Sequence, residues 1–393
     1  MNDQRISLTC APGGENHRGN QLIGKPPIKG TGLTYSDLRG LETWFKYEGN
    51  YEDVELIDLN KESKIDNDYF NSLKEEDKAN VLIIRNYAKN YTKNIYEECM
   101  ADEWDSKYLD PNKHPDLLDE NGKPVIDPND PKGKRILRDK TKHGRVLNKH
   151  ARKNICYVKG VNQEPDYQKG KGRIVDLNSK ENLNLIVENL LNEINTGLKF
   201  IESKSRVEIN VVEGNHYYNL KKTGIGFHGD TERVVVICIT IGGGGNYPMR
   251  WSWFINGKPI GLPINIGLND GDLYIMSEKA VGADWKKRSI YTLRHAAGCD
   301  KYLNMKKWKT TPMNQLKQTS KKNKPEKTKE MKLQIKKINR EGIEINIGII
   351  SDQNIAELKI TENNLGKKIC EYENYNINLN GKLIKSGIYY LNK

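Results

Sequence analysis

The sequence predicts an α+β protein whose centre is a rolled antiparallel sheet, and three observations carry that prediction. Between residues 207 and 310 short apolar runs recur, each bounded by Gly, Pro, Asn or Asp: Val207–Val212, Val234–Ile239, Arg250–Phe254, Ile264–Ile266 and Leu273–Met276. Short strands at that spacing with turn signals between them read as a sandwich, barrel or jelly roll. Ahead of them lie segments of helical period, and after Met305 the composition turns abruptly lysine-rich.

Taken in order, residues 1–35 are glycine-dense (Gly13, Gly14, Gly19, Gly24, Gly30, Gly32) with little periodicity, and read as a loop. They lack the Gly-Lys-Ser/Thr ending of a phosphate loop. Ser36–Tyr47 and Asp66–Cys99 show helical spacing and predict an N-terminal helical cap. Asp110-Pro111, His114-Pro115, Asp127-Pro128 and Asp130-Pro131 mark turns. A run of cations from Lys132 to Arg145, extended by Lys149, Arg152 and Lys153, follows. Charges so dense repel one another unless a polyanion or an acidic face relieves them; a solvated insertion is the plainer reading. Asn178–Phe200 is the clearest helix, with Leu183, Ile186, Leu190 and Ile194 on one face and Ser179 as cap. The expected division is therefore a helical and loop region with a basic segment (1–153), the rolled core (154–305), a basic linker (306–330) and a small β-rich module (331–393). That last segment alternates Ile, Leu and Tyr with polar residues and turns at Asn380-Gly381.

The core carries ligand-type side chains. In Gly226-Phe227-His228-Gly229-Asp230 a histidine and an aspartate stand at i and i+2, which in an extended strand share a face. His295, near the end of a strand expected over Ser289–Ala296, supplies a second imidazole facing His228 across the roll. Two imidazoles and one carboxylate on one face of an octahedron suit a non-haem Fe(II) site with open positions for a bidentate cosubstrate and dioxygen. His-x-acid pairs also arise by chance in a chain with seven histidines, so the surrounding strands carry the argument. The plainer reading makes His228 a strand-end histidine and Asp230 a turn former.

Together these parts resemble the AlkB-like branch of the 2-oxoglutarate and Fe(II)-dependent dioxygenases. Asn215-His216-Tyr217 matches the family's Asn-x-Tyr element, His228, Asp230 and Glu232 its His-x-Asp-x-Glu pattern, and Gly271-Asp272 the turn that opens an inner strand before the distal histidine. The resemblance spans residues 205–310. It implies a double-stranded β-helix (jelly roll) that binds Fe(II) through His228, Asp230 and His295 and 2-oxoglutarate beside Tyr217 or Tyr218. It further implies dioxygen as co-reactant and a nucleic acid, DNA or RNA, as substrate. Glu232, Arg233, Trp251 and Trp253 become candidates for the substrate rim, and Tyr157, Tyr167 and Lys169–Arg173 for a lid.

One part of the pattern is displaced. The family closes with an Arg, five residues, Arg strand after the distal histidine, whose first arginine clamps the far carboxylate of 2-oxoglutarate. Beyond His295 no arginine occurs before Arg340. Keeping His295 as ligand puts Lys301 and Lys307 in those places, with Tyr302–Met305 as the last strand, and a lysine holds a carboxylate only as a point charge. The rival register reads Arg288–Arg294 as the closing strand, with Arg288 as anchor, and removes the third metal ligand.

The rest of the sequence bounds the alternatives. At 393 residues with a net charge of +12, the chain has room for two or three domains and for an anionic partner. A lysine- and asparagine-rich composition is the competing source of that charge. No apolar run is long enough to cross a bilayer, and residues 1–10 lack a signal-peptide pattern, so the expected location is cytoplasm, nucleus or virion rather than secretion. Six scattered cysteines with no Cys-x-x-Cys pair argue against structural zinc and a disulfide framework. Three functions follow for testing: a dioxygenase on nucleic acid bases, an inactive binding or virion protein on the same roll, and a protein hydroxylase.

Overall fold

The computed structural model describes residues 3–305 apart from 17, 18 and 244, together with four strands between 368 and 390. The chain divides into two units, residues 1–317 and 318–393. The first is mixed α+β, dominated by one large antiparallel sheet with few helices.

The glycine-dense start, read above as a loop, opens with a strand, β1 (Arg5–Ala11), followed by the hairpin β2 (Gly13–Asn16) and β3 (Gln21–Gly24). The signal was there in the alternation: Ile6, Leu8 and Cys10 face one way, Arg5, Ser7 and Thr9 the other. Helix α1 (Tyr35–Tyr47) begins at a reciprocal cap in which Thr34 accepts from the Asp37 amide and Asp37 from the Thr34 amide. Strand β4 (Val54–Asp58), the single turns α2 (Leu59–Glu62) and α3 (Asp68–Asn71), and strand β5 (Asn80–Ile84) come next. The segment 66–99 is thus not one helical stretch. Its run Val81–Ile84 is apolar on both faces, which is how a central buried strand reads, and only α4 (Thr92–Met100) after it is helical.

A long arm leaves through β6 (Lys107–Asp110) and returns through β7 (Arg145–Asn148). Isolated bridges at Asp116–Arg138, Leu118–Pro124 and Ile126–Ile136 hold it together. Then follow β8 (Lys153–Val158), β9 (Ile174–Asp176) and α5 (Glu181–Phe200). The expected cap Ser179 does not start α5. Glu98 of α4 does so instead, its carboxylate accepting from the Asn182 and Leu183 amides.

The remaining strands are β10 (Val211–Tyr217), β11 (Gly224–His228), β12 (Val236–Ile241), β13 (Tyr247–Ile255), β14 (Lys258–Leu268), β15 (Leu273–Met276) and β16 (Thr292–Gly298), with the turn α6 (Glu278–Val281) before β16. The anticipated final strand Tyr302–Met305 is instead a helical turn, α7 (Asp300–Leu303). The large sheet runs β4-β5-β15-β12-β1-β10-β8-β9 and a second, four-stranded sheet β11-β16-β13-β14. β1 therefore fills the gap between β10 and β12, antiparallel to both.

Strand alternation divides the interior into layers. Ile6, Leu8, Val212, Ile237, Ile239 and Ile275 pack with Leu41 and Phe45 of α1 and with Leu183, Ile186, Leu190 and Ile194 of α5. Each such side chain contributes about 1.5–3 kcal/mol by leaving water. The opposite face of the large sheet, through Val236, Cys238, Tyr274 and Met276, packs on Met249, Trp251, Trp253 and Leu293 of the small sheet. In the second unit, β17 (Lys368–Tyr372) pairs with β20 (Gly387–Tyr390), and β18 (Ile377–Leu379) with β19 (Lys382–Ile384). The rest of the expected module and the whole linker 306–330, with Lys307, lie outside the described residues.

Candidate metal centre

His228 ends β11 directly opposite His295 of β16, so the two imidazoles are cross-strand neighbours in the small sheet rather than partners across the roll. Their ring centroids are 4.5 Å apart. Gly229 then turns the chain toward Asp230. A Cβ on Gly229 would stand 2.0 Å from the Gly282 carbonyl oxygen, and Gly282 itself has φ +74°, so this close crossing needs both glycines. Asp230 Oδ1 lies 3.4 Å from His228 Nε2 and 3.8 Å from His295 Nε2. The ligand atoms of all three residues fall within 4.8 Å of one another.

This donor set fits a divalent ion. With bonds of about 2.1 Å, donors at adjacent octahedral corners stand roughly 3 Å apart, so a small inward movement of three side chains completes the site. The tautomer of His228 is also prepared: Nδ1 is 2.8 Å from the Gly226 carbonyl, which an N–H there would satisfy, leaving the Nε2 lone pair for a metal. Burial alone would raise the Asp230 carboxyl, but His228, His295 and Arg233 together hold it well below the usual range. Burial and then His228 push His295 down to about 3, so its ring is neutral. His228 moves the other way: burial lowers it, and Asp230 more than compensates.

The three residues open onto a cavity of about 660 Å³. Its far wall is the inward face of β1 and β10, where Ser7 stands opposite Asn215 and Thr9 opposite Glu213. Tyr217, Glu232 and Arg233, all expected at the site, line it. Arg233 is buried and pairs with Glu213, and it donates to Glu232 at 3.0 Å. Glu232 is pushed up to about 7 by burial and then by Asp230, and Glu15, also on the wall, is raised by burial and then Glu213.

Other expectations are corrected. Lys301 lies exposed on α7, its amine 5.3 Å from the Tyr302 ring, because the chain coils there instead of entering the sheet. Arg288 is exposed and donates to the Asn256 carbonyl, away from the cavity. Tyr218 points out of β10 opposite to Tyr217 and donates to the His150 carbonyl. Tyr157, paired with Val212, faces the helix-covered layer and donates to Asp102, while Tyr167 donates to Asp105. Trp251 is fully buried behind His295, its ring 6.3 Å from the imidazole, and is core rather than rim; Trp253 likewise donates to the Leu59 carbonyl inside the core.

The residue that sequence reasoning missed is Arg152. It belongs to the cationic run but turns inward, lining the same cavity, with its Nε donating to Asn215. Its terminal nitrogens have no partner among the described residues. Arg5, heading β1 opposite Tyr217, is buried too and donates to the carbonyls of Gly242, Gly245 and Leu268, with its guanidinium 5.2 Å from the Tyr247 ring. Nothing in one sequence separates Arg152 from its exposed neighbours, whereas the alternation around Arg5 was readable.

No protein-family model matches the chain. Over 304 residues it is 36% identical to "Uncharacterized protein R156" of Acanthamoeba polyphaga mimivirus, an alignment covering 76% of this chain and 98% of that protein. The chain belongs to the family of that mimivirus protein. Among the described residues no helix is long and apolar enough to cross a membrane.

Proposed function

We propose that this chain is an iron- and 2-oxoglutarate-dependent dioxygenase of AlkB-like type, which hydroxylates or oxidatively demethylates a base of a nucleic acid. The observation that carries the reading is the convergence of His228, Asp230 and His295, from two adjacent strands and one turn, at the wall of a cavity that also holds an arginine with free donors. Packing of the large sheet on the small one, through Val236, Cys238, Tyr274 and Met276 against Met249, Trp251, Trp253 and Leu293, supports reading them as the two sheets of a double-stranded β-helix.

The residues divide the work as follows. His228, Asp230 and His295 would hold Fe(II), which with 2-oxoglutarate and dioxygen supplies the oxidising equivalent for C–H hydroxylation. Arg152, held by Asn215 on the cavity wall, is the cation available to a carboxylate of the cosubstrate, able to form charge-assisted hydrogen bonds. Arg233 adds to His228 and His295 in keeping Asp230 ionised, by bringing positive charge into a buried site.

Support for a polyanionic substrate comes from the arm between β6 and β7, whose base contributes Tyr108 and Asn148 to the cavity. Its five aspartates are engaged inside the arm, while Glu120 stays exposed. Asp119, Asp127, Asp130 and Asp139 accept turn amides, and Asp116 pairs with Arg138 and Arg145. Lys113, Lys123, Lys132, Lys134 and Lys140 are exposed with no acidic partner among the described residues. A phosphate backbone is attracted by such a surface in a salt-dependent way, and a duplex base would have to be flipped to reach the centre.

The test is succinate release from 2-oxoglutarate with Fe(II) and ascorbate, with and without methylated oligonucleotides. Turnover stimulated by the oligonucleotide and abolished in Arg152→Ala is expected. Absence of succinate from a chain that binds the metal would overturn the reading.

A further inference from the structure

Lys149 is a cavity residue to which the proposed reaction gives no task. It lies between β7 and β8, fixed by its own amide donating to the Ser106 carbonyl at 2.7 Å, and its side chain turns inward to line the same cavity as His228 and His295. Its amine donates to Asn154 Oδ1 at 3.0 Å, and Asn154 in turn donates to Asn215 at 2.6 Å, the side chain that also receives Arg152.

The groups around the amine are few. Arg152 stands on the same loop, Asp105 on the segment after α4, Cys156 on β8 and Glu213 on β10. Asp105 is engaged by the Tyr167 hydroxyl at 2.8 Å and the Arg173 amide at 2.7 Å, so its charge is shared. Burial, and then Arg152 against the attraction of Asp105, brings the ammonium down to about 8. A lysine desolvated beside another cation is the usual way to make an amine nucleophilic near neutral pH.

We propose that Lys149 is a nucleophilic amine that condenses with a small aldehyde inside the cavity. The Nζ lone pair attacks the carbonyl carbon, forming C–N as the C=O π bond opens. The oxygen takes a proton from the nitrogen, giving a carbinolamine, and loss of that hydroxyl as water with the second N–H proton leaves an imine. The proposed function bears only on where the aldehyde comes from: hydroxylation of a methyl group on nitrogen yields a carbinolamine that releases formaldehyde.

The experiment uses the full chain with a metal chelator present, so that it does not depend on the iron centre. Formaldehyde at low dose is added with cyanoborohydride, which reduces the imine to N-methyl-lysine, and peptide mapping by mass spectrometry gives the rate at each lysine. At pH 7.5 Lys149 should be modified on the order of 100-fold faster than exposed Lys113, from the difference between about 8 and the reference lysine value of about 10.4. Its rate should level off above about pH 8. In Lys149→Arg the fast event should vanish, and in Arg152→Met the plateau should move to higher pH. The proposal is overturned if Lys149 in the wild-type chain reacts no faster than Lys113, or if its rate keeps climbing with pH as that of an exposed lysine does.

Discussion

The two faces of β10 and β1 make opposite uses of one backbone. On the face under α1 and α5, Ile6, Leu8, Cys10 and Val212 meet other apolar side chains. On the reverse face the same strands present Arg5, Ser7, Thr9, Glu213, Asn215 and Tyr217, and around them gather Glu15, Arg152, Asp230, Glu232 and Arg233. Buried charge is costly unless paired, and apolar residues of similar volume would stabilise such a position at least as well. One face thus keeps the carboxylates of Glu15, Glu213, Asp230 and Glu232 and the guanidinium groups of Arg152 and Arg233 beside a cavity, while its partner is packed with apolar side chains.

The largest effects should come from upsetting that contrast on the charged side. Arg233→Met leaves Glu213, Asp230 and Glu232 without their common cation and should cost about 3–5 kcal/mol in denaturant unfolding. Adding Glu213→Gln should recover part of that loss, and a double variant no better than the single one would show that the charges do not act as a group. On the apolar side, Leu190→Ala in α5 should cost about 2–5 kcal/mol, by lost transfer energy and a residual cavity, while leaving metal affinity unchanged.

A smaller effect separates the faces by pH. His216, buried on the same face of β10 as Val212, is driven down to about 4 by burial and then by Lys153, and its Nε2 donates to Gln4 Oε1 at 2.9 Å. Its folded value lies below that of the unfolded chain, about 6.5, so between these values the unfolded chain holds the extra proton. The contribution is complete above about pH 6.5 and is lost as pH falls toward about 4. His216→Gln should therefore flatten the acid limb of the stability profile by roughly 1–3 kcal/mol. His228, raised in the folded chain, acts in the opposite sense: its contribution is present at low pH and fades as pH rises through its folded value. Comparing wild type and variant at each pH cancels it. The smallest change belongs to the surface, where breaking the exposed Lys25–Glu208 pair by Lys25→Ala should cost under about 1 kcal/mol.

How much of this was legible follows the same division. Strands of the core announced themselves by apolar runs, and Leu273–Met276 matches β15 residue for residue. His228, Asp230 and His295 were recognisable because ligand types and strand context coincide. β1 was overlooked because glycines after Ala11 masked a short alternating run, and β5 because a buried strand and a helix share an apolar signature. Arg152 and Lys149 could not be separated from the cations beside them. Whether a basic side chain meets solvent or a cavity is decided by a loop leaving β7, and one sequence carries no mark of that turn. Lys301 failed for a related reason, since its place rested on a final strand where the chain forms α7.

The most direct test of the centre is Mn(II) binding to the full chain, followed by paramagnetic resonance or calorimetry. The account predicts one high-affinity ion per chain, weakened by about 100-fold or more in His295→Ala and in Asp230→Ala, with Trp253→Phe indistinguishable from wild type. An affinity for Mn(II) that is the same in wild type and His295→Ala would contradict it.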